Sequence, residues 1–276
     1  MSSFVDTSLP IGVFDSGVGG LTVLRALQRR MPYESFIYLG DTARLPYGTK
    51  GSDTVVRYAL QAVDKLVERK IKLLVTACNT ATAAALPALA AAHPGIPVVG
   101  VVEPGAEAAC QVTRNGSILV LATESTIRNG AYSRAIQAKR PDARVTGIPC
   151  SLFVALAEEG WVDGPIVEAV TARYLAPLQN DPAAMPDTVV LGCTHFPPLA
   201  GAIQNVLGAG AQLVDSAATT AKAVEEALDR HNLRRPEHAP GTISFLTTDA
   251  PERFAKVAGI FLGRDLRPEE VELVSL

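Results

Sequence analysis

Apolar residues fall along this chain in short runs, and most runs end on a polar or sulfur-bearing side chain before a stretch with helical spacing begins. Runs of that kind read as strands buried on both faces, and their alternation with amphipathic helices predicts parallel sheets flanked by helices. Strands are expected over 11–15, 35–41, 72–78, 96–102, 117–123, 144–149, 188–193, 212–215 and 242–248. The 96–102 run is apolar throughout and reads as a strand of the buried parallel kind. Helices are expected from Leu21 (with Leu24 and Leu27 on its face), over 52–70, 80–92, 103–110, 125–140, 197–207, 217–229 and 251–262, and from Asp163 to about 178. Ser52 and Asp163 are suited to capping their helices. In the 52–70 helix, Val55, Val56, Ala59, Val63, Leu66 and Val67 form one broad core face. Residues 230–241 read as an exposed loop, and the chain closes with a short apolar end.

The alternation persists for 276 residues, long for one doubly wound sheet of ordinary size. Two similar motif sets therefore point to an α/β protein of two lobes, each a mainly parallel sheet flanked by helices. No low-complexity linker separates them, so a shared cleft is the expected site.

Composition acts by exclusion. Hydrophobic residues make up 48% of the chain and charged residues 19%, with a net charge of -3 and no basic block, so electrostatic binding to nucleic acid is disfavoured. The first residues lack a basic segment before an apolar one, and no apolar run approaches the roughly 18–20 residues of a membrane helix. A cytoplasmic protein without membrane contact is expected. Cys78, Cys110, Cys150 and Cys193 are widely spaced and form no CxxC pair, which argues against a metal site and for free thiols.

The candidate chemistry sits at strand ends. The first strand stops at Asp15, followed by Ser16, Gly17, Gly19 and Gly20; this is neither a P-loop nor GxGxxG, and reads as a tight turn or as a strand end facing a ligand. The second stops at Asp41, before a loop containing Arg44, Pro46, Tyr47 and Gly48 that serves either as a turn or as part of a site. Two further strands end on cysteines, in Ala77-Cys78-Asn79-Thr80 and Gly192-Cys193-Thr194-His195. A thiol just before a helix N-terminus meets free N–H groups and a dipole that favour the thiolate. One thiolate and one thiol on opposite faces of a carbon acid can remove a proton and return another, inverting the centre. Against this stands the ordinary role of cysteine as a small buried hydrophobe, which is the reading for Cys110 and Cys150. His195, two residues beyond Cys193, reads as a ligand, a core histidine or the group that sets the protonation of Cys193.

Phe14-Asp15-Ser16-Gly-Val-Gly-Gly-Leu-Thr22, Gly40-Asp41-Thr-Ala-Arg-Leu-Pro46-Tyr47-Gly48, Ala77-Cys78-Asn79-Thr80-Ala-Thr82 and Leu191-Gly192-Cys193-Thr194-His195-Phe-Pro closely resemble the motifs of the bacterial glutamate racemases, within the aspartate/glutamate racemase superfamily. The resemblance implies a cofactor-independent isomerase that interconverts L- and D-glutamate and supplies D-glutamate for peptidoglycan and so for cell-wall biogenesis and cell shape. By the same resemblance Cys78 takes the α-proton of the D-enantiomer and Cys193 that of the L-enantiomer. Asp15 and Glu158 match carboxylates that assist the thiols, and His195 a histidine that assists the second. Asp15, Ser16, Asp41, Pro46, Tyr47, Gly48, Asn79, Thr80, Thr123, Thr194 and His195 match substrate-binding positions. Residues 1–101 plus 214–276 correspond to the N-terminal lobe, carrying Asp15, Asp41 and Cys78, and 102–213 to the second, carrying Thr123, Glu158, Cys193 and His195. The resemblance also implies a homodimer. Inhibition of DNA gyrase, reported for some members, finds no support in the acidic balance of this chain. The chain departs from the family pattern around 150–158, where serine and alanine replace prolines, and at Ala122; it also lacks the N-terminal extension linked to activation by a peptidoglycan precursor, so no such activator is expected. A racemase of aspartate or another amino acid, or a binding protein, is the alternative.

Overall fold

A computed structural model of the chain describes residues 6–180, 185–236 and 239–276. Residues 1–5, read above for a leader, and residues 237–238 of the expected surface loop lie outside the described residues. In chain order the strands are β1 (Ile11–Asp15), β2 (Phe36–Gly40), β3 (Leu73–Thr76), β4 (Val98–Gly100), β5 (Ser117–Ala122), β6 (Arg144–Pro149), β7 (Thr188–Gly192), β8 (Gln212–Asp215), β9 (Ile243–Thr247) and β10 (Val271–Leu273). The helices are α1 (Leu21–Arg30), α2 (Ser52–Glu68), α3 (Asn79–Ala92), α4 (Val102–Val112), α5 (Glu124–Asn129), α6 (Ala131–Lys139), α7 (Leu152–Glu158), α8 (Gly164–Leu175), α9 (Ala200–Leu207), α10 (Ser216–Arg230) and α11 (Pro251–Leu262).

The strands form two sheets, ordered β10-β9-β2-β1-β3-β4 and β6-β5-β7-β8, and their pairings are parallel. Every residue of β1, β5 and β7 is buried, because helices cover both faces of the sheet centres and leave no solvent side for an alternating pattern. In the first sheet the chain leaves β1 toward β2 on one side and arrives at β3 on the other; in the second, β5 has β6 and β7 on its two sides. These are the points where strand order reverses, and the crevice at the carboxyl ends of such strands is where open α/β sheets bind ligands. Asp15 ends β1, Cys78 lies just beyond β3, Thr123 just beyond β5 and Cys193 just beyond β7.

Several expectations are corrected. The single helix over 125–140 is broken into α5 and α6 by Gly130, whose φ of 71° is the left-handed conformation that ends helices at glycine. The 96–102 run contributes only the three-residue β4 at a sheet edge, where Val98 and Val99 are half-buried rather than enclosed. The apolar tail forms β10, which pairs with β9. Gly51, not Ser52, precedes α2, and Asp163 stands at the N-cap of α8 without a side-chain capping bond. From β8, α10 leads away to pack on both α1 and α4.

Lys72, the polar start of the run that ends at Cys78, is buried 5% exposed beside Glu34, with Nζ also donating to the Thr7 carbonyl at 2.7 Å. The other oxygen of Glu34 accepts from the Arg235 backbone N–H at 2.8 Å, so one ion pair ties the N-terminal segment and the approach to β9 to the centre of the first sheet.

Candidate active site

The two sheets face one another with their carboxyl ends, and the loops there enclose a cavity lined by Ser16, Gly17, Leu45, Pro46, Tyr47, Gly48, Cys78, Asn79, Thr80, Thr123, Val154, Glu158, Cys193, Thr194 and His195. Two of the four cysteines, and those two from different sheets, line it. The space measures about 30 Å³, room for a water and not for an amino acid.

Cys78 is the N-cap of α3, and its sulfur accepts from the Ala81 backbone N–H at 3.4 Å while its thiol donates to the Ser16 hydroxyl at 3.4 Å. The thiolate-favouring dipole expected here is outweighed. Burial pushes the Cys78 thiol up to about 12, with the Asp15 charge and Cys193 adding to it, while Ser16 and the Ala81 N–H pull it back only in part. Asp15 stands behind the loop, fully buried and outside the cavity lining. Its Oδ2 accepts from the Gly17 N–H at 3.0 Å and from Tyr38 at 3.4 Å, and its Oδ1 has no hydrogen-bond partner. Burial raises this carboxyl as well, against the pull of the His195 charge and the loop N–H groups.

The second arm is a relay. His195 Nδ1 lies 3.9 Å from Cys193 Sγ, and its Nε2 lies 3.1 Å from Glu158 Oε1. A carboxylate at Nε2 fixes the tautomer, so neutral His195 presents Nδ1 to the thiol as an acceptor, and protonated His195 presents it as a donor. Burial would lower the imidazole; contacts with Cys193 and Glu158, and the charge on Asp15, outweigh that and lift it to about 10. Burial likewise opposes ionisation of Glu158, but His195 and then Arg253 bring its carboxyl below the usual range. Both helpers come from α11 of the other sheet: Arg253 Nη2 is 3.4 Å from Glu158 Oε2, and the Phe261 ring meets His195 edge-on with centroids 5.1 Å apart. Neither was singled out in the sequence, where α11 is simply an amphipathic helix.

Between the arms, Thr80, Thr123 and Thr126 bring their hydroxyls within 2.9 to 3.1 Å of one another. Asn79 Oδ1 accepts from Tyr132 at 2.7 Å. Asp41 does not line the cavity. It is fully buried, with Oδ2 taking Arg44 Nε at 2.6 Å and the Tyr47 hydroxyl, and Oδ1 taking Thr248 at 2.9 Å, so it braces the loop that carries Tyr47 and Gly48. Sequence reading missed Leu45 and Val154, apolar residues whose loop or helix context carried no chemical signal. Among the described residues no group of three or more His, Cys, Asp or Glu is arranged to hold a metal ion, and no helix is long and apolar enough to cross a membrane.

The glycine-rich turn after β1 has a purpose other than tight turning: none of Gly17, Gly19 and Gly20 has a positive φ. A Cβ on Gly19 would lie 2.4 Å from His195 Nδ1 and 2.5 Å from Thr194 Oγ1. The turn is bare so that the loop after β7 can close on it.

Residues 19–224 match the family model described as Asp/Glu/Hydantoin racemase. The chain is 49% identical over 256 residues to a glutamate racemase of Geobacter metallireducens, covering 93% of each. Among solved structures it is similar to the Francisella tularensis glutamate racemase in complex with D-glutamate, with 34% identity, 98% of each chain covered and a TM-score of 0.89. It is also similar to a Bacillus anthracis glutamate racemase isoform, with 35% identity, 97% and 98% of the two chains covered and a TM-score of 0.90.

Proposed function

The chain belongs to the Asp/Glu/Hydantoin racemase family, and we propose that it is a glutamate racemase that inverts the α-carbon by two-thiol proton transfer, without a cofactor. The observation that carries this reading is the pair of thiols, one from each sheet, lining one enclosed cavity. In the D-to-L direction Cys78 takes the α-proton onto sulfur, and the thiol of Cys193 delivers its own proton to the opposite face; the reverse direction exchanges the roles. No atom is gained or lost beyond that exchange. The Thr80, Thr123 and Thr126 hydroxyls, with the N–H groups that open α3, supply donors for a carboxylate and for the charge that develops as the proton leaves.

A thiol pushed up to about 12 is scarcely ionised at neutral pH, and the cation that would bring Cys78 down is the substrate's own ammonium, since among the described residues no Lys or Arg lines the cavity. On the other arm, His195 Nδ1 lies 3.9 Å from Cys193 Sγ and its Nε2 is held 3.1 Å from Glu158. Admission of substrate by parting of the lobes, and exclusion of water on closure, follow from the small enclosed volume. The lobes are taken as residues 1–101 plus 214–276, and 102–213. D-glutamate would serve peptidoglycan synthesis in the cytoplasm, and a homodimer is expected.

The test is racemisation of each glutamate enantiomer, and α-proton exchange in heavy water, without pyridoxal phosphate. Activity on glutamate is expected, with its loss in Cys78→Ser and Cys193→Ser. Full activity in either variant overturns the two-thiol scheme, and a higher kcat/KM for aspartate overturns the substrate.

A further inference from the structure

Asn79 is 3% exposed and lines the cavity, yet its two amide atoms have unequal surroundings. Its Oδ1 accepts from the Tyr132 hydroxyl at 2.7 Å, whereas its Nδ2 is buried without a hydrogen-bond partner. A buried N–H₂ without an acceptor costs free energy that native structures rarely accept, so the group points to something that fills the space beside it. The donor calls for an acceptor, and an anionic one gains most.

Tyr132 has no place in the chemistry described above. It lies on α6 of the second sheet, 3% exposed, and reaches across to α3 of the first. Ser216, at the start of α10, packs beside it, both residues lying against Gly105. Tyr132 directs its own proton at Asn79 Oδ1. Burial holds the phenol neutral well above physiological pH, so it remains a donor. The space is tight: a Cβ at Gly105 would stand 3.2 Å from the Tyr132 hydroxyl and 3.3 Å from Ser216 Cβ.

We propose that Tyr132 is a positioning residue which, by donating to Asn79 Oδ1, turns the Asn79 amide so that Nδ2 faces the cavity as a donor for a substrate carboxylate. With the amide reversed, Oδ1 would face the same carboxylate and repel it. The Tyr132–Asn79 bond joins α6 of the second sheet to α3 of the first, so the amide is aimed only when the two halves of the molecule are together. Recognition of the carboxylate is thereby tied to closure. The inference rests on the reading of Asn79 as a substrate holder.

Tyr132→Phe keeps the ring and removes only the donor. It is expected to raise KM for both enantiomers of glutamate roughly tenfold, the factor expected for one hydrogen bond to a charged group, with kcat changed less than about threefold. Asn79→Ala should raise KM at least as much, and Tyr132→Phe added to it should raise KM no further, the non-additivity of two residues acting through one contact. Unchanged KM in Tyr132→Phe while Asn79→Ala raises it overturns the role of Tyr132. Unchanged KM in Asn79→Ala overturns the substrate-holding reading beneath it. A lowered Tm in Tyr132→Phe with KM unaltered assigns the bond to stability alone and likewise overturns the proposal.

Discussion

Substituting Gly19 by alanine tests whether activity depends on the contact of the two lobes. The new methyl would lie 2.4 Å from His195 Nδ1 and 2.5 Å from Thr194 Oγ1, distances at which something must move. The imidazole has little freedom to yield, since Nε2 is held by Glu158 at 3.1 Å and its face by Phe261. Relief therefore comes from parting the lobes or tilting His195 off Cys193, both of which act on the reacting geometry. Overpacking of this kind costs about 1–3 kcal/mol. If that cost falls on the closed state alone, kcat/KM drops about 5- to 150-fold. Because enantiomers have equal free energy in water, the equilibrium constant is unity and the fall must be the same in both directions. If parting of the halves relieves the clash, the Tm should stay within a few degrees of the parent. Racemisation followed by circular dichroism measures the first quantity and a thermal melt the second. Gly51→Ala, whose Cβ would meet nothing within 4 Å, is the control and should leave both unchanged. Parental kcat/KM in Gly19→Ala would refute the reasoning, and a collapse of Tm in step with activity would show that the contact belongs to the folded core rather than to closure.

Glu158→Gln removes the carboxylate that His195 holds. His195 lies above its ordinary 6.5, at about 10, so its stabilising contribution is full below 6.5 and lost as pH rises through about 10; Glu158 lies below its ordinary 4.5, so its contribution is full above that value and lost as pH falls. The variant should therefore be destabilised most between about pH 4.5 and 6.5, by about 1.5–3 kcal/mol, and urea titrations should show the difference shrinking as pH falls below that range and as it rises toward about 10; a deficit independent of pH would disprove the ion pair. Lys72→Ala strands Glu34, 3% exposed at its side chain, and should cost about 3–5 kcal/mol in urea unfolding at pH 7, while Lys72→Ala with Glu34→Gln should recover part of it; equal losses in both would show that the charge of Glu34 does not matter.

The sequence by itself determined the order of elements and the positions where chemistry could sit. Short apolar runs such as 189–191, rich in β-branched residues and bounded by turn signals, pointed to strands buried on two faces. Asp15, Cys78 and Cys193 were legible as chemistry at or just beyond the ends of these runs, although the strands that precede the two cysteines stop at Thr76 and Gly192. Local pattern failed where a neighbour decides the outcome. Whether 96–102 is central or an edge depends on what lies beyond it, and a three-residue tail becomes β10 only because β9 offers a free edge. Only the tertiary structure decided which partners each site residue has: Glu158 meets His195 across 37 positions, and Arg253, Phe261 and Tyr132 reach the site from helices whose spacing reads as ordinary core. It also decided the balance at Cys78. A helix N-terminus beside a thiol is visible in the sequence and favours the thiolate, but the burial that outweighs it arises when two sheets close over one cavity, and desolvation is a property of that enclosure rather than of any neighbouring residue.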